Sequence, residues 1–219
     1  MAKAPYTEEG RLRHLLRVAA ISGESPLRNV ALLTTVYGTG MMLTEIARMP
    51  LRAYLNGDGS VRVKSCVDAA IAYNGKERPI YWSNTKVVTA IDAYLAYRVA
   101  FRHRLTPMAT EYRGLDPHGP IFLAGDGEPY KLIERRTSSG GLSYSCDSLS
   151  QLFRKLHLQA GIKGASATSG RRTFAVHLAN KGFRLRHINE LLGHETLTAT
   201  KRLIDAGHVR LGVIVAGVI

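Results

Sequence analysis

Apolar residues recur at helical spacing along most of this chain, and one stretch interrupts the pattern. In residues 7–23, for example, leucine, valine and alanine fall three or four positions apart, which predicts an amphipathic helix. Residues 51–82 instead alternate short β-type runs with Asn-Gly and Asp-Gly turn signals. We therefore predict a mostly α fold with one small antiparallel β-sheet (α+β), with Asn74 and Gly75 at a hairpin tip.

Capping residues indicate where several of these helices begin. Thr7 is expected to cap the first helix, and Ser25, followed by Pro26, is expected to cap the second. Asn84 or Thr85 is expected to begin a long helix. The predicted helices cover residues 7–23, 25–40, 42–50, 84–105, 147–162, 168–181, 184–193 and 196–206.

The chain contains no internal repeat and no low-complexity linker, so residues 1–206 are predicted to form a single domain. Residues 207–219 form a different kind of segment, an apolar tail of β-type composition that would favour aggregation if it were exposed. Two arrangements would cover this tail. It packs on a neighbouring subunit in a dimer or larger assembly, or it folds back as an extra strand or helix of its own domain.

The charge balance favours a polyanionic partner. Lysine and arginine together number 30, against 17 aspartates and glutamates, which gives a net charge of +13. Such an excess favours nucleic acid first and an anionic membrane surface second. The longest late apolar run is too short to span a bilayer, so we expect no membrane association.

The two cysteines, Cys66 and Cys146, are too few and too far apart to predict a disulfide framework or a zinc site. We expect both to be reduced thiols, and we expect no metal and no cofactor. Residues 1–10 have no apolar core and turn acidic at once, so they are not expected to act as a signal peptide. These features together predict a cytoplasmic protein.

An ordered series of motifs spans residues 171–202: "RRTFAVHL", "NKG", "RHINELLGH" and "TLTATKR". With this series, the chain resembles the tyrosine recombinase or phage integrase family. Upstream, "RNVALLTTVYGTGMMLTEIARMPL" resembles the family's first arginine box, "YNGKERPIYW" its lysine hairpin, and "GPIFLAGDGEPY" the run toward its last helices. The resemblance covers roughly residues 7–206 and implies the family's catalytic-domain fold.

The resemblance also implies a chemistry, which is the attack of a tyrosine on a DNA phosphodiester to form a covalent 3′-phosphotyrosyl link. Two arginines and a histidine or tryptophan neutralise the phosphate, another histidine assists proton transfer, and a lysine protonates the leaving oxygen. Two of these positions keep the expected residue in this chain. Arg171 stands at the second arginine, and His194 is the histidine of Leu-Gly-His.

Four other positions depart from the family pattern. Met42 stands where the first arginine belongs, in a frame that Glu45 confirms, and Tyr73 stands at the lysine. Thr168 replaces the histidine of His-x-x-Arg. The nucleophile is expected nine residues after His194, where the chain has Leu203.

Three residues are candidates to replace the lost groups. Lys76 lies on the hairpin and could serve as the general acid, although the family uses a lysine there for backbone or surface contacts. Ser169 and Thr200 carry hydroxyls near the site, but neither has an evident activating base in the sequence. No tyrosine follows Tyr144, so a shift of register does not supply a nucleophile.

Losing a charge-stabilising donor costs about 10²–10³ in rate, and losing a nucleophile that works as a unit with its neighbours costs on the order of 10⁶. We therefore predict that this chain does not cleave DNA alone, and that it keeps a phosphate-contacting surface. The family usually adds an N-terminal core-binding domain to complete a clamp, and the chain begins almost at the catalytic-like domain. The residues predicted to contact phosphate are Arg171, Arg172, His194, Lys76, Arg78, Lys201 and Arg202.

Three functions are consistent with these observations. The first is a double-stranded-DNA-binding regulator or accessory factor of a mobile element, acting at the bacterial nucleoid. The second is a subunit of a DNA recombination complex whose missing catalytic groups come from a partner. The third is a protein-interaction module that joins or blocks recombinase assemblies. The expected protein partner is a second copy of the chain or another recombinase-family protein.

Overall fold

The structure, a computed structural model, describes residues 4–136 and 140–205, and in these ranges the chain forms eight α-helices and two antiparallel hairpins. This confirms the mostly α fold with antiparallel strand pairing, although the strands form two small sheets where one was predicted. The apolar tail, 207–219, lies outside the described residues. The helices are α1 Glu9–Ile21, α2 Pro26–Thr39, α3 Leu43–Arg48, α4 Thr85–Ala100, α5 Asp147–Gln159, α6 Ala167–Asn180, α7 Leu185–Leu192 and α8 Leu197–Asp205. The strands are β1 Lys64–Val67, β2 Arg78–Tyr81, β3 Ile133–Arg136 and β4 Leu142–Ser145.

Helix α2 is the centre of the main core. It is buried along most of its length and packs against α1, α4 and α6. Helices α6, α7 and α8 enclose a second, much smaller apolar cluster around Ala175, Ile188 and Leu192. Helices α7 and α8 therefore pack on far fewer buried apolar residues than α2 does, and side-chain hydrogen bonds also hold the end of α7.

The first hairpin has a turn at Asn74 and Gly75 as predicted, but this turn lies within a longer connection, residues 68–77. Strands β1 and β2 pair in antiparallel register from Lys64 opposite Tyr81 to Val67 opposite Arg78. Gly75, in the connecting segment, has a φ of 70°, the left-handed conformation that an Asn-Gly turn supplies at little cost. The second hairpin, β3–β4, was not predicted, because every side chain of β3 is exposed and no apolar alternation marks the strand.

Of the predicted helix caps, the one at Asn84 is confirmed and the one at Thr7 is wrong. Asn84 caps α4, with its side chain accepting a hydrogen bond from the backbone N–H of Lys86. The prediction that Thr7 caps the first helix is wrong, because Glu8 precedes α1 and Thr7 is fully buried. Its hydroxyl lies 2.9 Å from that of Tyr37. A buried threonine satisfied by the core is not available to a helix end.

The segment before α1 lies along α6. The backbone N–H of Thr7 donates to the hydroxyl of Thr173 at 2.9 Å. The hydroxyl of Tyr6 lies 3.0 Å from Nε2 of His177, and burial lowers the pKa of that histidine. His177 is therefore a packed, hydrogen-bonded histidine rather than part of the candidate site.

In the two described ranges, no α-helix combines the length and the apolar character needed to cross a bilayer.

Candidate functional site

The C-terminal end of α7, where the Leu-Leu-Gly-His motif lies, is held by four side chains. The carbonyl oxygens of residues 191–193 all accept hydrogen bonds. Arg78 donates to the first at 2.9 Å and Arg171 to the second at 2.6 Å. Asn74 and Tyr73 both donate to the third, at 2.9 and 3.3 Å. Helix ends leave such carbonyls without internal partners and carry partial negative charge, so cationic donors stabilise this one.

Arg171, the retained second arginine, joins the ends of two helices. Only 4% of its surface is exposed, and its guanidinium also donates to the carbonyl of Gly40, just after α2. The ring of Tyr73 lies 5.1 Å from the guanidinium carbon, in cation–π geometry. Burial, and secondarily the charge of Arg78, lowers the pKa of Arg171 to about 10, so it remains a cation at neutral pH.

Arg78 forms a buried ion pair with Glu45, with 2.5 Å between Nη2 and Oε2. The same carboxylate accepts hydrogen bonds from the backbone N–H groups of Met42, at 2.8 Å, and Tyr73, at 3.3 Å. With 3% of its surface exposed, Arg78 does not face solvent in this conformation, and its contact with DNA phosphate stays a prediction. The sequence shows an arginine on a hairpin, but it does not show that the side chain turns inward to Glu45.

His194 is fixed by a short hydrogen-bond chain. The amide of Asn189 donates to the hydroxyl of Thr200 at 3.0 Å, and this hydroxyl lies 2.9 Å from His194 Nδ1. When Thr200 gives its hydrogen to Nδ1, the Nε2–H of His194 remains available as a donor. Burial, followed by the charges of Arg171 and Arg78, lowers the pKa of His194 to about 4, so the ring is neutral at pH 7.

Neither hydroxyl weighed as a replacement nucleophile is accessible. Thr200 does lie against a base, His194, which the sequence alone did not indicate, but Thr200 is fully buried. Ser169 is also fully buried, and its hydroxyl accepts a hydrogen bond from the backbone N–H of Ser166. A phosphodiester does not reach either oxygen in this conformation.

Three of the four substituted positions line one cavity. Met42, Tyr73 and Thr168 contribute to a space of about 740 Å³, which we call the larger cavity. Its charged lining residues are Arg48 and Arg154, and none of its lining residues in the described ranges is acidic. The structure thus brings together positions 42, 73 and 168, as the resemblance implies.

A second cavity adjoins the first through Thr168, which lines both. This smaller cavity, of about 440 Å³, is also lined by His194, Leu203, Arg172 and Arg202. It too has no acidic residue among its described lining. The fourth substituted position therefore lies at the same site as the other three.

Leu203 serves packing at the position where a nucleophile is expected. It is partly buried and packs against the small cluster formed by Ala175, Ile188 and Leu192. An aliphatic side chain at this place closes α8 onto α6 and α7. It offers no nucleophilic oxygen to the smaller cavity.

Arg172 is a buried cation without an acidic partner in the described ranges. Only 4% of its surface is exposed, and its one recorded hydrogen bond goes to the carbonyl of Ala4. Its Nε has no hydrogen-bond partner among the described residues, and burial lowers its pKa. Burying an uncompensated charge is costly, so an anion in the smaller cavity would be favourable.

The remaining predicted phosphate ligands are on the surface. Arg202 and Lys201 are both exposed on α8, and only Arg202 lines the smaller cavity. Lys76 is exposed and pairs with Glu195 at 3.3 Å, which leaves it outside both cavities. Two of the predicted phosphate ligands, Arg78 and Arg171, are therefore buried and hold the end of α7. The others line the smaller cavity or lie on the surface: Arg172, His194, Arg202, Lys201 and Lys76.

Both cysteines, Cys66 and Cys146, are free thiols in the structure. The thiol of Cys66 lies 3.0 Å from a carboxylate oxygen of Asp68, and the carboxylate of Glu77 is close by. Burial and the neighbouring carboxylates raise the pKa of Cys66 to about 12. The thiol is therefore protonated at neutral pH.

Several residues of the site were not singled out from the sequence. Glu45 had served only to fix the reading frame, and its role as the buried partner of Arg78 needed the fold. Asn74 was expected only to form a turn, yet its amide also holds α7. Tyr144 and Arg154 carried no detectable signal, because one lies in the unpredicted hairpin and the other on the exposed side of α5.

Comparison with known proteins gives a consistent picture. A sequence model described as the Phage integrase family matches residues 6–206. Tyrosine recombinase XerC of Pelobacter propionicus is 30% identical over 185 residues, which cover 84% of this chain and 50% of that protein. XerC of Halalkalibacterium halodurans is 31% identical over 189 residues, covering 83% and 52%. The chain thus spans about half the length of these curated relatives.

Solved structures share the fold at low sequence identity. The crystal structure of XerA recombinase superposes with a TM-score of 0.67 at 17% identity, covering 99% of this chain and 62% of that one. The catalytic domain of bacteriophage HP1 integrase gives 0.57 at 16%, covering 99% and 96%. XerH recombinase bound to a palindromic difH substrate gives 0.63 at 17%, covering 97% and 53%.

Proposed function

The chain belongs to the phage integrase family, and from that premise we propose that it binds double-stranded DNA without cleaving it alone. The DNA lies against the face that contains the two cavities. In this role the protein is a regulator or accessory factor of a mobile element and acts at the bacterial nucleoid.

One observation carries the non-cleaving part of this proposal. At the nucleophile position, Leu203 packs into an apolar cluster beside His194 and offers no hydroxyl. Met42 and Tyr73, at two further catalytic positions, bring neither a guanidinium nor an ammonium group into the larger cavity. Since catalytic groups of this kind act as a unit, joint loss removes more rate than the loss of any one.

The DNA-binding part rests on charge and on the chemistry of the cavities. The net charge is +13, and arginines line both cavities without acidic neighbours in the described lining. Contacts between such cations and phosphates give affinity that falls steeply with salt and carries no sequence information by themselves. The DNA complex of XerH supports the same use of this fold here.

A second candidate follows from the intact frame around the site. Arg171 and His194 remain in place, so a partner recombinase could supply the missing groups within a mixed recombination complex. In this case the chain would be a subunit of a recombining assembly. The same experiment separates the two functions.

The test uses nicked suicide duplexes, which trap any covalent intermediate. The wild-type chain is expected to shift the duplex in a gel at low salt and to yield no covalent adduct after denaturation. XerC of Pelobacter propionicus serves as the positive control. An adduct on the wild-type chain would overturn the non-cleaving assignment, and a mixture of the two proteins that forms more product than XerC alone would favour the second candidate.

A further inference from the structure

Two tyrosine rings line the larger cavity, and each has an arginine on one face. The guanidinium carbon of Arg171 lies 5.1 Å from the ring centre of Tyr73, and that of Arg48 lies 5.1 Å from the ring centre of Tyr144. The two tyrosines remain 40% and 41% exposed. Flat aromatic surface is therefore available at two places in a single cavity.

Both rings are held in place before any ligand arrives. Arg48 donates to the carbonyls of Thr44, Ala70 and Ile71 at 3.2, 3.0 and 2.7 Å, so its guanidinium is fixed behind Tyr144. The hydroxyl of Tyr144 donates to Glu134 at 3.3 Å. Tyr73 is held in the same manner by Arg171 and by its hydrogen bond to the end of α7. A fixed ring loses little conformational entropy when a second ring stacks on it.

The cavity has the size and charge for a nucleotide. Its volume of about 740 Å³ falls within the range of about 300–1,000 Å³ that is typical of small-ligand sites. Arg154 also lines it, is exposed, and forms no ion pair with any described residue. A guanidinium without a carboxylate partner can bind a phosphate, and an aromatic ring can stack on a base. A nucleotide carries both groups, so it fits this combination.

We propose that the larger cavity binds an unpaired nucleotide, whose base stacks on Tyr73 or Tyr144 and whose phosphate contacts Arg154. The inference rests on the proposed DNA binding and adds the class of DNA. Bases inside an intact duplex are stacked on one another and cannot present a face to a protein ring, so the nucleotide comes from a single strand or is displaced from the helix.

The experiment measures binding of three fluorescent DNAs in the same buffer: a matched duplex, the same duplex with one extrahelical 2-aminopurine, and a single strand that contains it. Wild type is expected to prefer the bulged duplex and to change the 2-aminopurine fluorescence on binding. Tyr144→Leu and Tyr73→Leu are each expected to weaken the bulged duplex and the single strand by about 5- to 150-fold. The matched duplex is expected to bind all variants alike.

Tyr81→Leu is the matched control. Tyr81 is 43% exposed and has the Lys64 ammonium 5.7 Å from its ring centre, but it does not line the cavity. Its loss is expected to leave the preference for unpaired nucleotides intact. Tyr144→Phe, which keeps the ring, is expected to recover most of the affinity that Tyr144→Leu loses.

Each other outcome contradicts one specific statement. The stacking site would be overturned if Tyr144→Leu weakened the binding of matched and bulged duplexes equally. It would also be overturned if Tyr81→Leu weakened the binding of the bulged duplex as much as Tyr144→Leu does. Binding of matched duplex by wild type with no preference for the bulge would overturn the inference and leave the proposed function standing. Binding of the single strand alone would support the cavity and contradict double-stranded DNA as the ligand.

Discussion

The end of α7 and the larger cavity share Tyr73 and Asn74, yet the arginines at the end of α7 and Arg154 of the cavity have opposite environments. At the end of α7, Arg78 and Arg171 are buried, and carbonyl oxygens or Glu45 accept from their guanidinium groups. In the cavity, Arg154 is exposed and forms no ion pair with a described residue. A retained family arginine can therefore be explained by architecture, and Arg171 by itself is not evidence of catalysis.

The largest effect is expected at the buried ion pair. Glu45→Gln leaves Arg78 charged, buried and unpaired, and we expect the free energy of unfolding to fall by about 3–5 kcal/mol. Urea denaturation followed by circular dichroism measures this. Glu9→Gln is the control, because Glu9 pairs with Arg13 at 2.7 Å on the exposed face of α1, where the expected loss is under about 1 kcal/mol. Equal losses in the two variants would contradict the comparison.

A smaller effect is expected from Arg171→Met, which removes two charge-assisted hydrogen bonds to helix ends. We expect a loss of about 2–3 kcal/mol in the same denaturation experiment. Arg154→Met sharpens the contrast, because we expect it to leave stability unchanged and to reduce the salt dependence of DNA binding by about one unit of slope. If Arg154→Met destabilised the fold and Arg171→Met did not, the division between the two regions would be wrong.

The smallest effect is a pH dependence at His194. Its pKa of about 4 in the folded protein lies below the ordinary value of 6.5, so between these values the unfolded chain binds a proton that the native chain does not. The stabilisation is complete above about pH 6.5 and is lost as the pH falls toward about 4. We expect about 1–2 kcal/mol. Urea midpoints from pH 7 to 4 should fall less steeply in His194→Gln; the other histidines contribute equally to both proteins.

Much of the fold follows from the sequence because its signals are local. Asn84 begins α4 as expected, since a cap needs only its own side chain and the next turn. The prediction for Thr7 failed because a distant partner, Tyr37, takes its hydroxyl. The hairpin β3–β4 was missed because its exposed side chains follow no periodic pattern.

In the candidate site, too, the sequence indicates the local features but not the contacts between distant residues. Positions 42, 73 and 168, which the family frame singled out, line one cavity. The frame did not indicate that Arg78 turns inward, because only the folded protein places Glu45 beside it. Tertiary packing decides which cations face solvent, and the sequence alone does not distinguish a buried arginine from an exposed one.

The contact between Thr7 and Thr173 has a consequence for how the chain is made. These residues lie 166 positions apart, and Thr7 is fully buried in the finished fold. At synthesis rates of about 5–20 residues per second, Thr7 is added to the chain roughly 8–33 seconds before Thr173. During that interval the nascent chain cannot complete the contact that buries its first residues against α6.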